Sequence, residues 1–401
     1  MAAIESAEEQ VLLGLLRAAV GKAENIHTLL TDRQPDWERL LCLAQSHAVS
    51  AVLYDVLETC PDVPADCMKR LQKETQEVVL ANYRLLFLTS YLVAYLGRHG
   101  ITAVTLKGAV TAALYPVPEY RKSGDVDLLI PLEADRERAL QLLLQAGFQT
   151  AGQQLALHHV SLKNAEGITV ELHHTLTEPF DDQRVNQYLE RLLAEYGRHI
   201  VKNKTWGLEL TEPADAYHAF YLVLHMLQHF LREGFGLKNL CDWTLFWNRE
   251  VGEEEKQRFL ELLEQSGTGQ FVRVLTAACV LQMGLSQEKA AFLQTETVPG
   301  ELVQAFLQEV LEAGEFGRAQ TDRMVAMRGS RVSAYVREFQ HQMHLNFPEA
   351  GRIVVCWPFL WALTLARFLH NNRRLRRASL RNIIKKAGRR SVLVEQLRLF
   401  Q

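Results

Sequence analysis

The chain has 401 residues, of which 48% are hydrophobic and 23% charged, with 44 Lys and Arg against 47 Asp and Glu for a net charge of −3. This composition excludes a disordered chain or a long coiled coil, and the length suffices for two or three units that each bury a core. A near-neutral average also excludes a uniformly basic nucleic-acid binder, though not a local basic segment.

The N-terminal MAAIESAEEQ is acidic where a secretory signal needs a basic region and an apolar core. The six cysteines, Cys42, Cys60, Cys67, Cys241, Cys279 and Cys356, form no CxxC pair. Together these features predict a cytoplasmic chain whose thiols are reduced and act as small buried hydrophobes.

Residues 1–99 read as a helical region. Apolar residues recur at three- and four-residue spacing in WERLLCLAQSHAVSAVLYDVLE and in EVVLANYRLLFLTSYLVAYLGRHG, and Gly100 stands where a helix-terminating glycine belongs. The pattern then changes. ITAVTL is a short apolar run ending in Lys107-Gly108, AVTAALYP follows, and SGDVDLLIP alternates with period two. DRERALQLLLQAGF reads as a helix with Leu140, Leu143 and Leu144 on one stripe and Gly147 as its stop. LALHHVSLK and GITVELHH read as a hairpin around Asn164-Ala165-Glu166-Gly167. Residues 100–210 are therefore expected to form a small α/β core.

Helical patterning resumes after Pro213, with Thr211 as a candidate N-cap, and residues 211–350 are expected to form a helical domain completing a cleft. The remainder, 351–401, carries the apolar run IVVCWPFLWALTLA and then a basic tail. The run is 14 residues long and interrupted by Pro358, so a buried helix is expected rather than a membrane span. Ten Lys or Arg and no acidic residue occupy 367–390, leaving −13 on the other 377 residues. Peripheral contact of residues 353–390 with anionic lipid or nucleic acid is one reading and a solvated helix face the other.

The chemistry concentrates in Gly124-Asp125-Val126-Asp127. On a strand Asp125 and Asp127 share one face while Val126, Leu128 and Ile130 take the other. Two carboxylates aimed at one point repel unless a cation lies between them, and an oxygen-seeking divalent ion such as Mg2+ fits that need. In GITVELHH, Glu171 and His173 likewise sit opposite the apolar Val170 and Leu172. Were the two strands neighbours, three carboxylates would converge, enough for two metal ions serving an in-line displacement at phosphorus.

The run LKGAVTAALYPVPEYRKSGDVDLLIP, with VELHH beyond it, resembles a family of bacterial nucleotidyltransferase-like proteins in the DNA polymerase β superfamily. The resemblance extends more loosely from Trp37 to Trp243. It implies an α+β fold, a small mixed-sheet nucleotidyltransferase core flanked by helical regions. It implies further that Asp125, Asp127 and Glu171 bind catalytic Mg2+, two ions with Mn2+ as a substitute, and that a nucleoside triphosphate donates its monophosphate to a hydroxyl or phosphate acceptor. Lys107, Gly108 and Gly124 fall where that superfamily cradles the triphosphate, although Ala109 replaces the expected hydroxyl residue. Arg121 is expected to neutralise the departing pyrophosphate and Lys238 to contact phosphate.

Three neighbours complete the expected cleft: His173, His225 and Asp242, the last orienting phosphate or His225. His218, His225 and His229 lie on one helical face, and the last two have the i, i+4 spacing of a metal pair. His341 and His344 read as solvated. A metal-dependent glycosyltransferase using the same Asp-x-Asp, and a nucleotide-binding scaffold without turnover, are the competing readings.

Overall fold

A computed structural model describes residues 6–20, 25–151, 159–232, 234–314, 356–364 and 380–400, with residues 340, 343, 347 and 366. The basic segment 367–379 and His341 and His344 lie outside the described residues, as do the side chains of 380–387.

The fold is α+β: a small mixed sheet between two sets of helices. Helices α1 (Ala7–Ala19), α2 (Ile26–Arg33), α3 (Trp37–Ser46) and α4 (Tyr54–Glu58) lead into α5 (Ala65–Arg98), a single 34-residue helix. By length and composition α5 could cross a membrane, and a third of its most apolar window is buried here. Its end follows the expected rule, with Gly100 at φ +73° closing the helix in a conformation that costs a glycine little.

Five strands follow in the spatial order β1-β2-β5-β4-β3: β1 (Val104–Thr105), β2 (Asp125–Leu129), β3 (Gln149–Thr150), β4 (His159–Lys163) and β5 (Thr169–His173). The segments α6 (Ala109–Ala112) and α7 (Glu133–Gln145) connect them. The β4–β5 hairpin turns as its sequence dictates: Gly167 has φ +79°, and the Asn164 carboxamide oxygen accepts from the Glu166 and Ile168 amides at 3.0 and 2.8 Å.

Period-two alternation divides the sheet cleanly. Val126, Leu128, Ile130, Val170 and Leu172 pack with Leu92 and Leu96 of α5 and Ala139 and Leu143 of α7 in one apolar cluster. The opposite face carries the polar residues and looks toward α9 (Asp215–Arg232) and α10 (Leu237–Asn248). Behind these, α11 (Glu253–Ser266), α12 (Gly269–Gln282) and α14 (Gly300–Ala313) build a larger core around Trp243, Trp247, Phe259, Phe271 and Phe306; α13 (Gln287–Ala290) lies between the last two. Helix α1 buries Val11, Leu12, Leu15 and Leu16 in this same core, so helices from the N-terminal region and from the region after the sheet share one core.

Four expectations need correction. Thr211 and Pro213 do not start a helix: they lie in β7 (Leu208–Pro213), which pairs with β6 (Ile200–Thr205) in a separate hairpin, and α9 begins at Asp215. α8 (Gln183–Tyr196) precedes that hairpin. Cys42 is exposed rather than buried. The apolar segment is helical over 357–364 and buries Leu360, but Phe359 is 67% exposed. The basic tail is not wholly a solvated face either, since Arg390 is buried in the terminal helix Leu380–Gln396, donates to the Phe230 carbonyl and lies 3.6 Å from Glu309.

Candidate active site

The strand register creates the site. β2 and β5 run parallel with Asp127 opposite Glu171 and Leu129 opposite His173, so Asp125, Asp127, Glu171 and His173 emerge on one face. The expected neighbourhood of the two strands is therefore present. Candidate ligand oxygens of Asp125, Asp127 and Glu171 lie within 4.8 Å of one another.

Asp127 is at the bottom, its side chain fully buried. Its Oδ1 accepts from His173 Nε2 at 3.0 Å, and Lys107 Nζ approaches Oδ2 at 3.3 Å, an oxygen with no well-formed hydrogen bond. Burial alone would push this carboxyl up, but the Lys107 charge and the His173 hydrogen bond and charge overcome it and hold the value well below the carboxylate range. Asp125 carries the consequence. The Asp127 charge, helped by burial, raises it to about 6. Glu171 is nearer the surface; burial pushes it up, but His173, 3.4 Å away, and His159 outweigh burial and keep it below its ordinary value.

Lys107 reaches this position because β1 ends beside β2 and Gly108 turns the chain at φ +64° and ψ −112°, a conformation that favours glycine; a Cβ there would find room, so backbone geometry and not crowding selects the residue. The lysine also donates to His225 Nε2 at 3.0 Å. Burial opposes its charge, yet the three carboxylates raise it overall. The same burial, with the Lys107 charge beside it, drives His225 well below its normal value and His229 to about 4, so both are neutral imidazoles on the cleft wall. His218, expected on the same face, is buried elsewhere, 3.4 Å from the Thr111 hydroxyl and edge-on to Phe246, and burial lowers it to about 3.

Above the carboxylates lies a cleft of about 390 Å³. Lys107, Lys122, Lys238 and Arg232 give it a cationic rim, and Gly124, Asp125, Glu171, His159, His173, His225 and His229 lie along its walls. Arg232 is ion-paired with Glu178 there. A region with anionic floor and cationic rim suits a polyanion bridged to the floor by a divalent cation.

Two expected ligands are placed differently. Arg121 does not line this cleft. Its Nε and Nη2 donate to Asp242 Oδ1 and Oδ2 at 2.7 and 2.8 Å, a buried bidentate pair, and Tyr115 donates to the same carboxylate at 2.7 Å. Asp242 is correspondingly turned from His225 toward Arg121. The pair fixes the segment leading into β2, which Asn82 also holds by donating to the Glu119 and Arg121 carbonyls at 2.6 and 2.9 Å. Gly124 and Lys238 do line the cleft. Sequence reasoning missed Lys122, Arg232 and His159. For His159 a signal existed: counting back from the Asn164–Gly167 turn places it directly opposite His173.

The oxygen-only donor set, the unsatisfied Asp127 Oδ2 and three crowded carboxylates offset by one lysine together fit a hard divalent cation.

A family profile described as "Uncharacterised nucleotidyltransferase" matches residues 33–284, more than half the chain. The protein belongs to that family. The crystal structure of an antigenic nucleotidyltransferase-like protein from Paracoccidioides brasiliensis also matches, at 18% identity and a TM-score of 0.30, over 46% of this chain and 88% of that one. That likeness is too loose to bear on the fold. No curated protein matches.

The Arg121–Asp242 pair gives a stability test. Arg121→Met leaves a buried carboxylate without its cation and should destabilise the protein by about 3–5 kcal/mol in denaturant unfolding. The double variant Arg121→Met/Asp242→Leu should recover most of that loss.

Proposed function

We propose that this member of the uncharacterised nucleotidyltransferase family moves a nucleoside monophosphate from a nucleoside triphosphate to a hydroxyl or phosphate acceptor, releasing pyrophosphate. The observation that carries the reading is the convergence of Asp125, Asp127 and Glu171 on one sheet face beneath a cationic cleft. Asp125, Asp127 and Glu171 would hold divalent cations, most fittingly Mg2+ with Mn2+ as a substitute, which when bound neutralise phosphate charge and make an acceptor hydroxyl easier to deprotonate.

The chain's own groups have separable roles in this reading. Lys107, now shared between Asp127 and His225, presents an ammonium at the junction of floor and rim, where it can meet a phosphate oxygen. Lys238 and Lys122 extend that charge along the cleft. His173 holds the buried Asp127 at a fixed angle through Nε2, a positioning function. Glu171, more accessible than Asp127, is the carboxylate placed to face an acceptor. As the acceptor oxygen gives up its proton to solvent and bonds to the α-phosphorus, the bond from that phosphorus to the bridging oxygen breaks and pyrophosphate leaves with the electron pair. Positioning and charge neutralisation supply most of the acceleration in such a displacement. Arg121 acts at a distance, by fixing the entry to β2.

The reading is tested by incubating the protein with Mg2+, each α-labelled nucleoside triphosphate and a cell extract as acceptor source. Label transfer should occur in wild type and fall at least about 10³-fold in Asp127→Asn, with circular dichroism unchanged. Transfer of sugar from a labelled nucleotide sugar would instead favour the glycosyltransferase, and nucleotide binding with no product would leave a scaffold.

A second test follows from Asp125, whose value of about 6 in the metal-free fold means that proton and cation compete for it. Affinity for Mn2+ should be flat above pH 7 and weaken by about tenfold per pH unit below 6. The same upward shift means that the metal-free fold gains stability from this proton at low pH and loses that contribution as pH rises through about 6. Asp125→Asn should remove that component of the pH dependence, as measured by thermal unfolding.

A further inference from the structure

A second donor set stands beside the three carboxylates and differs from them in chemistry. His159 on β4 lies directly opposite His173 on β5, and Glu171, two residues before His173, shares their face. Candidate ligand atoms of His159, Glu171 and His173 lie within 4.8 Å of one another. His173 Nε2 is 3.4 Å from Glu171 Oε2, and His159 Nε2 is 3.5 Å from Glu171 Oε1. Both separations are long for an N–H···O bond, whose usual length is about 2.9 Å. They match the spacing of two donors around one tetrahedral ion: bonds of about 2.1 Å place neighbouring ligand atoms about 3.4 Å apart.

Two imidazoles and one carboxylate form a borderline set that suits zinc-like transition ions, whereas an oxygen-only set suits magnesium. The backbone pre-orders it. Three donors sit on two hydrogen-bonded strands joined by a tight hairpin, the two imidazole rings lie 5.2 Å apart, and all three side chains line the cleft. A fourth position would therefore face the open volume.

We propose that His159, Glu171 and His173 form a site for a single transition-metal ion of the Zn2+ class, distinct in donor chemistry from the carboxylate site and sharing Glu171 with it. On binding, His173 Nε2 gives up its proton, to solvent or by tautomerising to Nδ1, and exchanges its bond to Asp127 for the ion, which leaves Asp127 Oδ1 open toward the neighbouring carboxylate site. Glu171 then bridges the two positions, and β4 is tied to β5 at the mouth of the cleft. The inference does not depend on the transfer chemistry.

The test uses the full chain stripped of metal with a chelator and titrated by calorimetry with Zn2+ and, separately, with Mg2+ at neutral pH. One equivalent of Zn2+ should bind at least about 100-fold more tightly than Mg2+, and Co2+ at the same site should give the visible absorption of a tetrahedral centre. His159→Ala should weaken Zn2+ at least about tenfold while changing Mg2+ affinity less than about twofold. His159→Gln, which keeps side-chain bulk, should behave in the same way and guards against a folding defect, with thermal unfolding as the check. Equal affinity for Zn2+ and Mg2+, or Zn2+ binding untouched in both His159 variants, would overturn the proposal. So would loss of Zn2+ on His229→Ala with His159→Ala unaffected, because the ion would then belong to α9. Absence of nucleotidyl transfer with Zn2+ binding intact would count against the transferase reading alone.

Discussion

The site is organised around one carboxylate without access to water. A buried Asp127 would normally neutralise by taking a proton, because removing an unpaired charge from water costs far more than the fold can spare. It stays charged because Lys107 lies against one of its oxygens and His173 donates to the other. That arrangement has a cost next door, where Asp125 faces a permanent negative charge and binds its proton more tightly. Three carboxylates crowded on this face form an oxygen donor set of the kind that suits a divalent cation.

The rest of the fold keeps those groups in register. β2 and β5 pair in parallel so that Asp127 meets Glu171, and the apolar halves of both strands are pinned by α5 and α7. Arg121 and Asp242 add a buried clamp between the segment before β2 and α10, which itself supplies Lys238 to the cleft rim. Helices from both ends of the chain share one core behind α9 and α10. The cleft wall and the carboxylate floor are thus held by different elements that the Arg121–Asp242 pair joins.

Much of this was legible in the sequence because alternation leaves little choice. Once GDVDLLIP and GITVELHH read as strands, their carboxylates had to share a face, and the structure brings those faces together. What was not legible depends on contacts between residues far apart in the chain. Nothing near Arg121 announces that Asp242, 121 positions later, will occupy its guanidinium, so a cation beside the motif read as a phosphate ligand. The β6–β7 hairpin was hidden for a local reason. Its turn places Trp206 at φ +54° before Gly207 at φ +79°, and tryptophan is not a residue that signals such a turn. Pro213 then looked like the first turn of a helix when it ends a strand. His159 is recoverable from hairpin register alone, because counting back from the Asn164–Gly167 turn sets it opposite His173.

The account stands or falls on where a divalent cation binds. Crystals grown with Mn2+ and a non-hydrolysable nucleoside triphosphate analogue, with data collected at the manganese edge, locate the ion without relying on activity. An anomalous peak within coordinating distance of Asp125, Asp127 and Glu171, with the triphosphate directed toward Lys107 and Lys238, is the predicted result. Manganese bound elsewhere, with Lys107 still on Asp127 and the analogue outside the cleft, would contradict the account.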